Sequence, residues 1–197
     1  NRPLIELVHQ AYLVHRTPIV FVDVGAAIGD TLLLLHERCP RMLESFYCID
    51  GDHEFFAYLR HNLGHLRNGT LVRALLSSPD GIERELVRIH GGTASAQGIV
   101  SMPAATLDDI LAPKGLSRLD VLKTDLDGCD GKVLRGATDV LRTFRPAVIF
   151  EWHPGLCRAT ANKWATHFDV MMECGYNLFL WFNKFGEFSH FTSHYDE

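Results

Sequence analysis

The chain has 197 residues, with 24 Asp plus Glu against 19 Lys plus Arg and a net charge of -5. At roughly 150 residues per domain this length reads as a single domain, residues 1–197, and 47% hydrophobic residues suffice for a core without staples. The acidic balance, with no Lys/Arg run, excludes a duplex-DNA or anionic-membrane binder. Asp23 and Asp30 interrupt the most apolar stretch, so nothing approaches the ~20 residues that insert across a bilayer.

Residues 1–17 read as a helical lead-in. Asn1-Arg2-Pro3 shows neither a secretory h-region nor an initiator Met, which fits trimming from a longer chain. The five cysteines, Cys39, Cys48, Cys129, Cys157 and Cys174, are widely spaced and contain no CxxC pair. That set is neither a disulfide framework nor a thiolate zinc site, and it points to a reducing, cytoplasmic compartment. Cys48, inside Phe46-Tyr47-Cys48-Ile49, is the expected core thiol.

Short apolar runs predict strands over 19–24, 46–49, 70–76, 119–123, 147–150 and 177–182. Helical periods lie between them, over 30–39, 52–63, 130–142 and 159–174. The third of these carries Val133, Leu134, Ala137, Val140 and Leu141 on one face. The last puts Trp164, Phe168, Met171 and Met172 on one side and stops at Gly175. Residues 82–89 alternate like a strand, 90–98 form a loop, and Thr106 N-caps a short helix over 107–111. Continuous apolar strands alternating with helices make an α/β protein, a doubly wound Rossmann-like parallel sheet with helices on both faces.

Phe21-Val22-Asp23-Val24-Gly25-Ala26-Ala27-Ile28-Gly29-Asp30 is a strand ending in an acid, a turn of small residues, and a helix start. Ligands of such sheets bind beyond the carboxyl ends of the strands. A dinucleotide fingerprint would need glycines at 25, 27 and 30. Ala27 breaks that pattern, and Asp30 would repel a pyrophosphate at the helix start, which disfavours NAD. S-adenosylmethionine suits the turn better, because it has no phosphate and its ammonium can meet an acid such as Asp23. Asp50, about 20 residues past the turn, stands where a carboxylate accepts ribose hydroxyls.

With these pieces in order, the chain resembles the FkbM family of S-adenosylmethionine-dependent methyltransferases. The resemblance runs through Phe21 to Ala26 with Gly29-Asp30, Cys48-Ile49-Asp50, Leu59 to Asn62 and Thr106-Leu107-Asp108-Asp109. It continues through Leu119 to Gly128, Val133-Leu134-Arg135-Gly136-Ala137, Pro146 and Glu151, and covers roughly residues 19–182. It implies a class I methyltransferase fold, with seven mostly parallel strands and an antiparallel last one, and O-methylation of sugar or natural-product hydroxyls. Asp23, Gly25, Ala26, Gly29 and Asp50 carry over as cofactor contacts, and Ser78 matches the region beside the adenine. The chain departs from the family at Ala27, where Asn is usual, at Asp50 and Asp127, where Glu is commoner, and at Cys129-Asp130, which replaces Ala-Glu.

Methyl transfer to a hydroxyl needs alignment of the oxygen, removal of its proton and exclusion of water. The fourth strand leads into Lys123, Asp125 and Asp127, and the fifth into Glu151-Trp152-His153, at the same sheet face as the turn. These are the candidate catalytic residues Lys123, Asp125, Asp127, Glu151 and His153. One mechanism has a side chain take the proton directly. The other has Asp125 or Asp127 with Glu151 hold a Mg²⁺-like cation, and the reading without a required metal is favoured. Structural roles compete: Lys123 pairing with a carboxylate, and His153 shaping the loop before Pro154. His61 and His65 have a metal-binding spacing but read as a solvated helix face without a third ligand. Phe179, Trp181, Phe182, Phe185, Phe188 and Phe191 read mostly as core-packing residues of a hairpin. The Gly91-Gly92-Thr93-Ala94-Ser95 loop reads equally as a cover for cofactor or substrate and as a flexible solvent loop.

The expected function is therefore an S-adenosylmethionine-dependent O-methyltransferase acting on a small hydroxylated acceptor such as a sugar, glycolipid head or natural product. No nucleic-acid partner is expected. The rival of another class is a methyltransferase-like domain that binds the cofactor or a protein partner without turnover.

Overall fold

The computed structural model describes residues 2–90 and 93–193, so Gly91 and Gly92 of the covering loop lie outside the described residues. In chain order the elements are α1 (Arg2–His15), β1 (Ile19–Val24), α2 (Asp30–Arg38), β2 (Leu43–Asp50), α3 (His53–Leu63) and β3 (Gly69–Arg73). An excursion follows, made of β4 (Ile82–Arg84), β5 (Val87–His90), β6 (Thr93–Ser95) and β7 (Ser101–Pro103). Then come α4 (Leu107–Leu111), β8 (Val121–Thr124), α5 (Asp130–Arg135), α6 (Thr138–Phe144) and β9 (Ala147–Phe150). The chain closes with α7 (Pro154–Ala159), α8 (Thr166–Glu173), β10 (Phe179–Phe182) and β11 (Phe188–Thr192).

Every residue of β1, Ile-Val-Phe-Val-Asp-Val, is buried, as a run without alternation requires. β1 is the central strand of a five-stranded parallel sheet ordered β3-β2-β1-β8-β9. Its side chains alternate between two cores. Ile19 and Phe21 pack with Leu4 and Val8 of α1, Leu32 and Leu35 of α2, and Leu59 and Leu63 of α3. Val20, Val22 and Val24 pack with α4, α5, α6 and α8 through residues such as Leu107, Val133, Leu141 and Phe168. Each such buried apolar side chain contributes about 1.5–3 kcal/mol. Among the described residues no helix is long and apolar enough to cross a membrane.

Local signals place several boundaries. Thr106 Oγ1 accepts from the Asp109 N–H (3.0 Å), and Asp109 Oδ2 accepts from the Thr106 N–H (3.3 Å), closing a capping box at α4. Gly175 has φ +85°; its N–H bonds to the Met172 carbonyl and that of Tyr176 to the Met171 carbonyl, ending α8 as expected.

Tertiary contacts redraw other boundaries. The helix expected over 130–142 breaks into α5 and α6 at Gly136-Ala137. A Cβ at 136 would lie 2.3 Å from the Ser77 carbonyl oxygen, so the break lets the segment after β3 come close. Val133, Leu134, Ala137, Val140 and Leu141 are nonetheless all buried. The helix expected over 159–174 shortens to α8; Ala159 instead ends the separate helix α7, and Ala161 is left-handed (φ +58°) between the two. The strand expected over 82–89 is two short strands, β4 paired with β7 and β5 with β6.

Where the resemblance implied seven strands, the central sheet has five among the described residues, and β10 and β11 pair antiparallel as a ribbon of their own. Phe179 is buried and Trp181 half-buried against Phe168 and Trp152, whereas Leu180, Phe182, Phe188 and Phe191 face outward. On β10 alternate side chains pack inward, because a strand turns successive side chains to opposite faces, while Phe182 and Phe188 pack edge-to-face on the outer side. α3 ends before Gly64, so His61 and His65 do not share a continuous helix face; both are exposed. All five cysteines are free and buried.

Candidate active site

The turn after β1 is built on left-handed residues: Gly25 (φ +76°), Ala27 (φ +45°) and Gly29 (φ +86°). The N–H groups of Gly25 and Ala26 donate to the Ile49 carbonyl (3.0 and 3.2 Å), tying the turn to β2. A Cβ on Gly25 would lie 2.1 Å from the Asp125 carbonyl oxygen, so only glycine lets the turn rest on the segment after β8. Gly29 opens α2, and a Cβ there would meet Leu63 (2.8 Å) and Leu59 (3.0 Å) of α3.

Ala27 pays a left-handed penalty that Asn or Gly would largely avoid. Ala27→Gly is expected to stabilise the fold by about 0.5–1 kcal/mol, strain relief exceeding the added chain entropy. The measurement is the denaturant midpoint; an unchanged or lower value means the turn carries no strain at this residue.

Asp50 ends β2 and is buried. Its Oδ2 accepts the Ala27 N–H (2.8 Å) and its Oδ1 the Asp52 N–H (2.9 Å). Burial raises its pKa to about 6 against the pull of these two donors. Asp52 N-caps α3, accepting from Glu54 and Phe55 (both 2.9 Å), and pairs with Arg88 of β5 at 2.8 Å. Arg88 also pairs with Glu54 and lies over the Phe55 ring, so β5 is docked on the start of α3.

Asp23 and Lys123 face each other in register on β1 and β8, on the α1–α2–α3 side of the sheet. Lys123 Nζ donates to Asp23 Oδ1 (3.0 Å) and lies 3.3 Å from Asp125 Oδ2. Asp23 is fully buried, and its Oδ2 has no hydrogen-bond partner among the described residues. Burial raises the Asp23 pKa to about 6, opposed by Lys123. For Lys123 burial alone would lower the pKa, yet the charges of Asp23 and Asp125 lift it above the ordinary lysine value. Its ammonium therefore stays protonated.

Past the paired ends of β8 and β9, the Glu151 N–H donates to the Thr124 carbonyl (3.2 Å), so Asp125 and Glu151 are neighbours. Asp127 is left-handed (φ +49°), as is Gly128 after it (φ +94°). Glu151 Oε2 is buried without a hydrogen-bond partner among the described residues. Burial, then the charges of Asp125, Asp130 and Asp127, push the Glu151 pKa to about 7. His153 is exposed, and its Nδ1 accepts the Leu156 N–H (3.2 Å) as the N-cap of α7. The sequence reading named Asp130 only as a family departure. It is completely buried, its Oδ2 accepts the Leu126 N–H (3.2 Å), and burial raises its pKa to about 7.

A cavity of about 240 Å³ opens between these strand ends and the excursion. Gly25, Asp50, Asp125 and Asp127 line it among the residues expected from the sequence. Asp23, Ala26, Gly29, Lys123, Glu151 and His153 stand around it without lining it, and the Ser78 hydroxyl turns away to donate to Asp80 (2.9 Å). Ala94, from the loop named in the sequence, is on the far wall, and sequence reasoning missed the rest of that wall, Phe55 and Glu83, Leu86 and Ala96 of the excursion. Lys132 of α5 clamps Glu83 (2.9 and 3.1 Å), fixing this wall to the other side of the site. Among the described residues no three His, Cys, Asp or Glu side chains are grouped to hold a metal ion.

The sequence model of the FkbM methyltransferase domain matches residues 23–178. Among solved structures, an FkbM methyltransferase from Methylobacillus flagellatus KT is similar at a TM-score of 0.55 and 16% identity, over 85% of this chain. The chain spans 40% of that protein's length. A precorrin-6y C5,15-methyltransferase from Geobacter metallireducens GS-15 is similar at a TM-score of 0.48 and 15% identity, over 89% of this chain and 73% of its own. None of the curated proteins compared with the chain matches it. The glycine turn, the acids at the ends of β1 and β2, and the match over most of the sequence converge: the chain belongs to the FkbM methyltransferase domain family, on a class I methyltransferase fold.

Proposed function

We propose that this domain transfers a methyl group from S-adenosylmethionine to a hydroxyl of a small acceptor such as a sugar, a glycolipid head or a natural product. The observation that carries the reading is Asp50. Each of its oxygens already accepts one backbone N–H and has a further lone pair, and the residue lines the cavity. That is a preset acceptor for two ribose hydroxyls. Phe55, Leu75 and Leu86 offer apolar surface for the base. Asp125, on the cavity, with Lys123 beside it, offers opposite charges to the ammonium and carboxylate of the methionine end. Asp23 acts from behind, holding Lys123 in place.

When bound, S-adenosylmethionine supplies a methyl group already activated on a sulfonium. The chain contributes alignment, for which an oriented pair is worth ~7–11 kcal/mol of barrier, and an excursion docked on α3 that forms one wall of the site. The five free, buried thiols support a reducing, cytoplasmic setting.

The test is calorimetry with S-adenosylhomocysteine. The parent protein is expected to bind it and not NAD, and Asp50→Ala to bind it about 1–3 kcal/mol more weakly, the loss typical of buried hydrogen-bonding groups. Equal affinities for parent and variant would take Asp50 out of the cofactor site, and a preference for NAD would overturn the reading.

A further inference from the structure

We propose that Glu151 is the general base that accepts the acceptor's hydroxyl proton, an assignment that rests on the methyl-transfer reading above. Among the side chains near the strand ends, five are set aside by their contacts, and Asp127, which lines the cavity, is the rival that the test below separates. Lys123 is held protonated between Asp23 and Asp125, so it has no lone pair to offer. Asp125 is half exposed, and its carboxylate is already engaged in a salt bridge with that lysine. His153 spends Nδ1 on capping α7. Asp23 and Asp130 are completely buried beneath the site and bound to Lys123 and the Leu126 N–H.

Glu151 differs from all of these. Its backbone is anchored to Thr124 in register with the end of β8, and its carboxyl feels the charges of Asp125 and Asp127, two residues that line the cavity. Its Oε2, like Asp23 Oδ2 and Asp130 Oδ1, is closed off from water and accepts no hydrogen bond among the described residues, but Glu151 is half-buried where those two are completely buried. A buried carboxylate oxygen without a donor is costly unless a donor arrives from outside the chain, and an acceptor hydroxyl is such a donor. The groups that face it are Asp125 and Asp127 from the segment after β8, Asp130 from α5 and His153 from its own segment. Three acids outweigh one imidazole, so Glu151 holds its proton more firmly than an ordinary carboxylate while still ionising near neutrality, the poise a base needs. In the transfer the hydroxyl proton passes to Glu151. The oxygen forms the new C–O bond, and the C–S bond breaks with its electron pair passing to sulfur, leaving methyl ether and S-adenosylhomocysteine. The proton then leaves to solvent.

The test needs no acceptor. S-adenosylhomocysteine and sinefungin differ at the reacting centre, where sinefungin carries a cationic amine in the place of the methyl group. Calorimetric titrations of both probes at pH 6 and pH 8 are compared for the parent, Glu151→Gln and Asp127→Asn. For the parent, the preference for sinefungin over S-adenosylhomocysteine is expected to rise several-fold between pH 6 and 8, as Glu151 loses its proton. Glu151→Gln should keep S-adenosylhomocysteine affinity within about threefold, lower the sinefungin preference about tenfold at pH 8, and abolish its rise with pH. A preference that tracks the parent overturns the assignment, as does its loss in Asp127→Asn alone. Loss of S-adenosylhomocysteine binding in Glu151→Gln would make Glu151 a cofactor holder and equally overturn it. A parent that binds neither probe defeats the cofactor reading instead, a separate failure.

Discussion

Lys123→Met is expected to lose about 3–5 kcal/mol of folding stability at pH 8, the usual cost of leaving one member of a buried ion pair uncompensated. Asp23 has no exposed surface, and Lys123 Nζ is the donor that satisfies its Oδ1, while Oδ2 already has none. Removing the ammonium leaves the carboxylate facing Cys48 across β2 and the apolar packing of α1, α2 and α3. The cheapest response is protonation. The Asp23 pKa, already raised to about 6 by burial, must climb further once Lys123 no longer opposes it. A carboxyl whose folded pKa lies above its unfolded value contributes fully below the unfolded value, and that contribution is lost as pH rises through the folded value. The deficit of the variant should therefore widen from pH 5 to pH 8. The double variant Asp23→Asn with Lys123→Met removes both charges and should recover most of the loss. Chemical denaturation of the three variants at both pH values decides it. A single variant as stable as the parent at pH 8 would mean that this pair is solvated, contrary to its burial.

The second large effect lies in the turn. Gly25→Ala combines a left-handed backbone, worth about 1–2 kcal/mol of strain for an L side chain, with a Cβ 2.1 Å from a backbone oxygen that cannot rotate away. Overpacking of this kind typically adds ~1–3 kcal/mol, so a total near 2–5 kcal/mol is expected. The strain falls on the contact between the β1 turn and Asp125, both of which line the cavity. S-adenosylhomocysteine affinity should therefore drop by at least about 100-fold, because two walls of the site move apart. Gly29→Ala makes a useful contrast. Its Cβ would meet the ends of Leu63 and Leu59, flexible side chains away from the cavity, so stability falls while affinity changes far less. Denaturation midpoints with calorimetry separate the two. Equal losses of affinity would show that general loosening, and not the Asp125 contact, governs binding.

How much of this was legible beforehand can be argued from particular residues. The unbroken apolar run of β1 announced a strand covered on both faces, and Thr106 and Gly175 announced helix ends, because caps depend on residues within a few positions of each other. The glycine turn and Asp50 were legible for the same reason: the spacing from Gly25 to Asp50 is one strand-helix-strand unit. The family's motifs extended this reading across most of the chain.

Other features were decided by packing. Lys123 and Asp23 are 100 residues apart, and only the parallel register of β1 and β8 places them in contact. Ser78 carries the residue type expected beside the cavity, yet its hydroxyl bonds locally to Asp80, while Leu86 and Ala96 of the excursion supply the wall. The 130–142 helix has an unbroken apolar period, but the approach of Ser77 to Gly136 divides it.

Side-chain chemistry within one turn or one strand-helix unit, then, was written in the order of residues: which segments are strands, where helices stop, and which acid follows the glycines. Which charges meet, which carboxylate is left without a donor, and which loop closes the cavity came only with the folded chain. Those outcomes depend on strand register and on burial, which raises or lowers a proton affinity through distances that no linear spacing encodes.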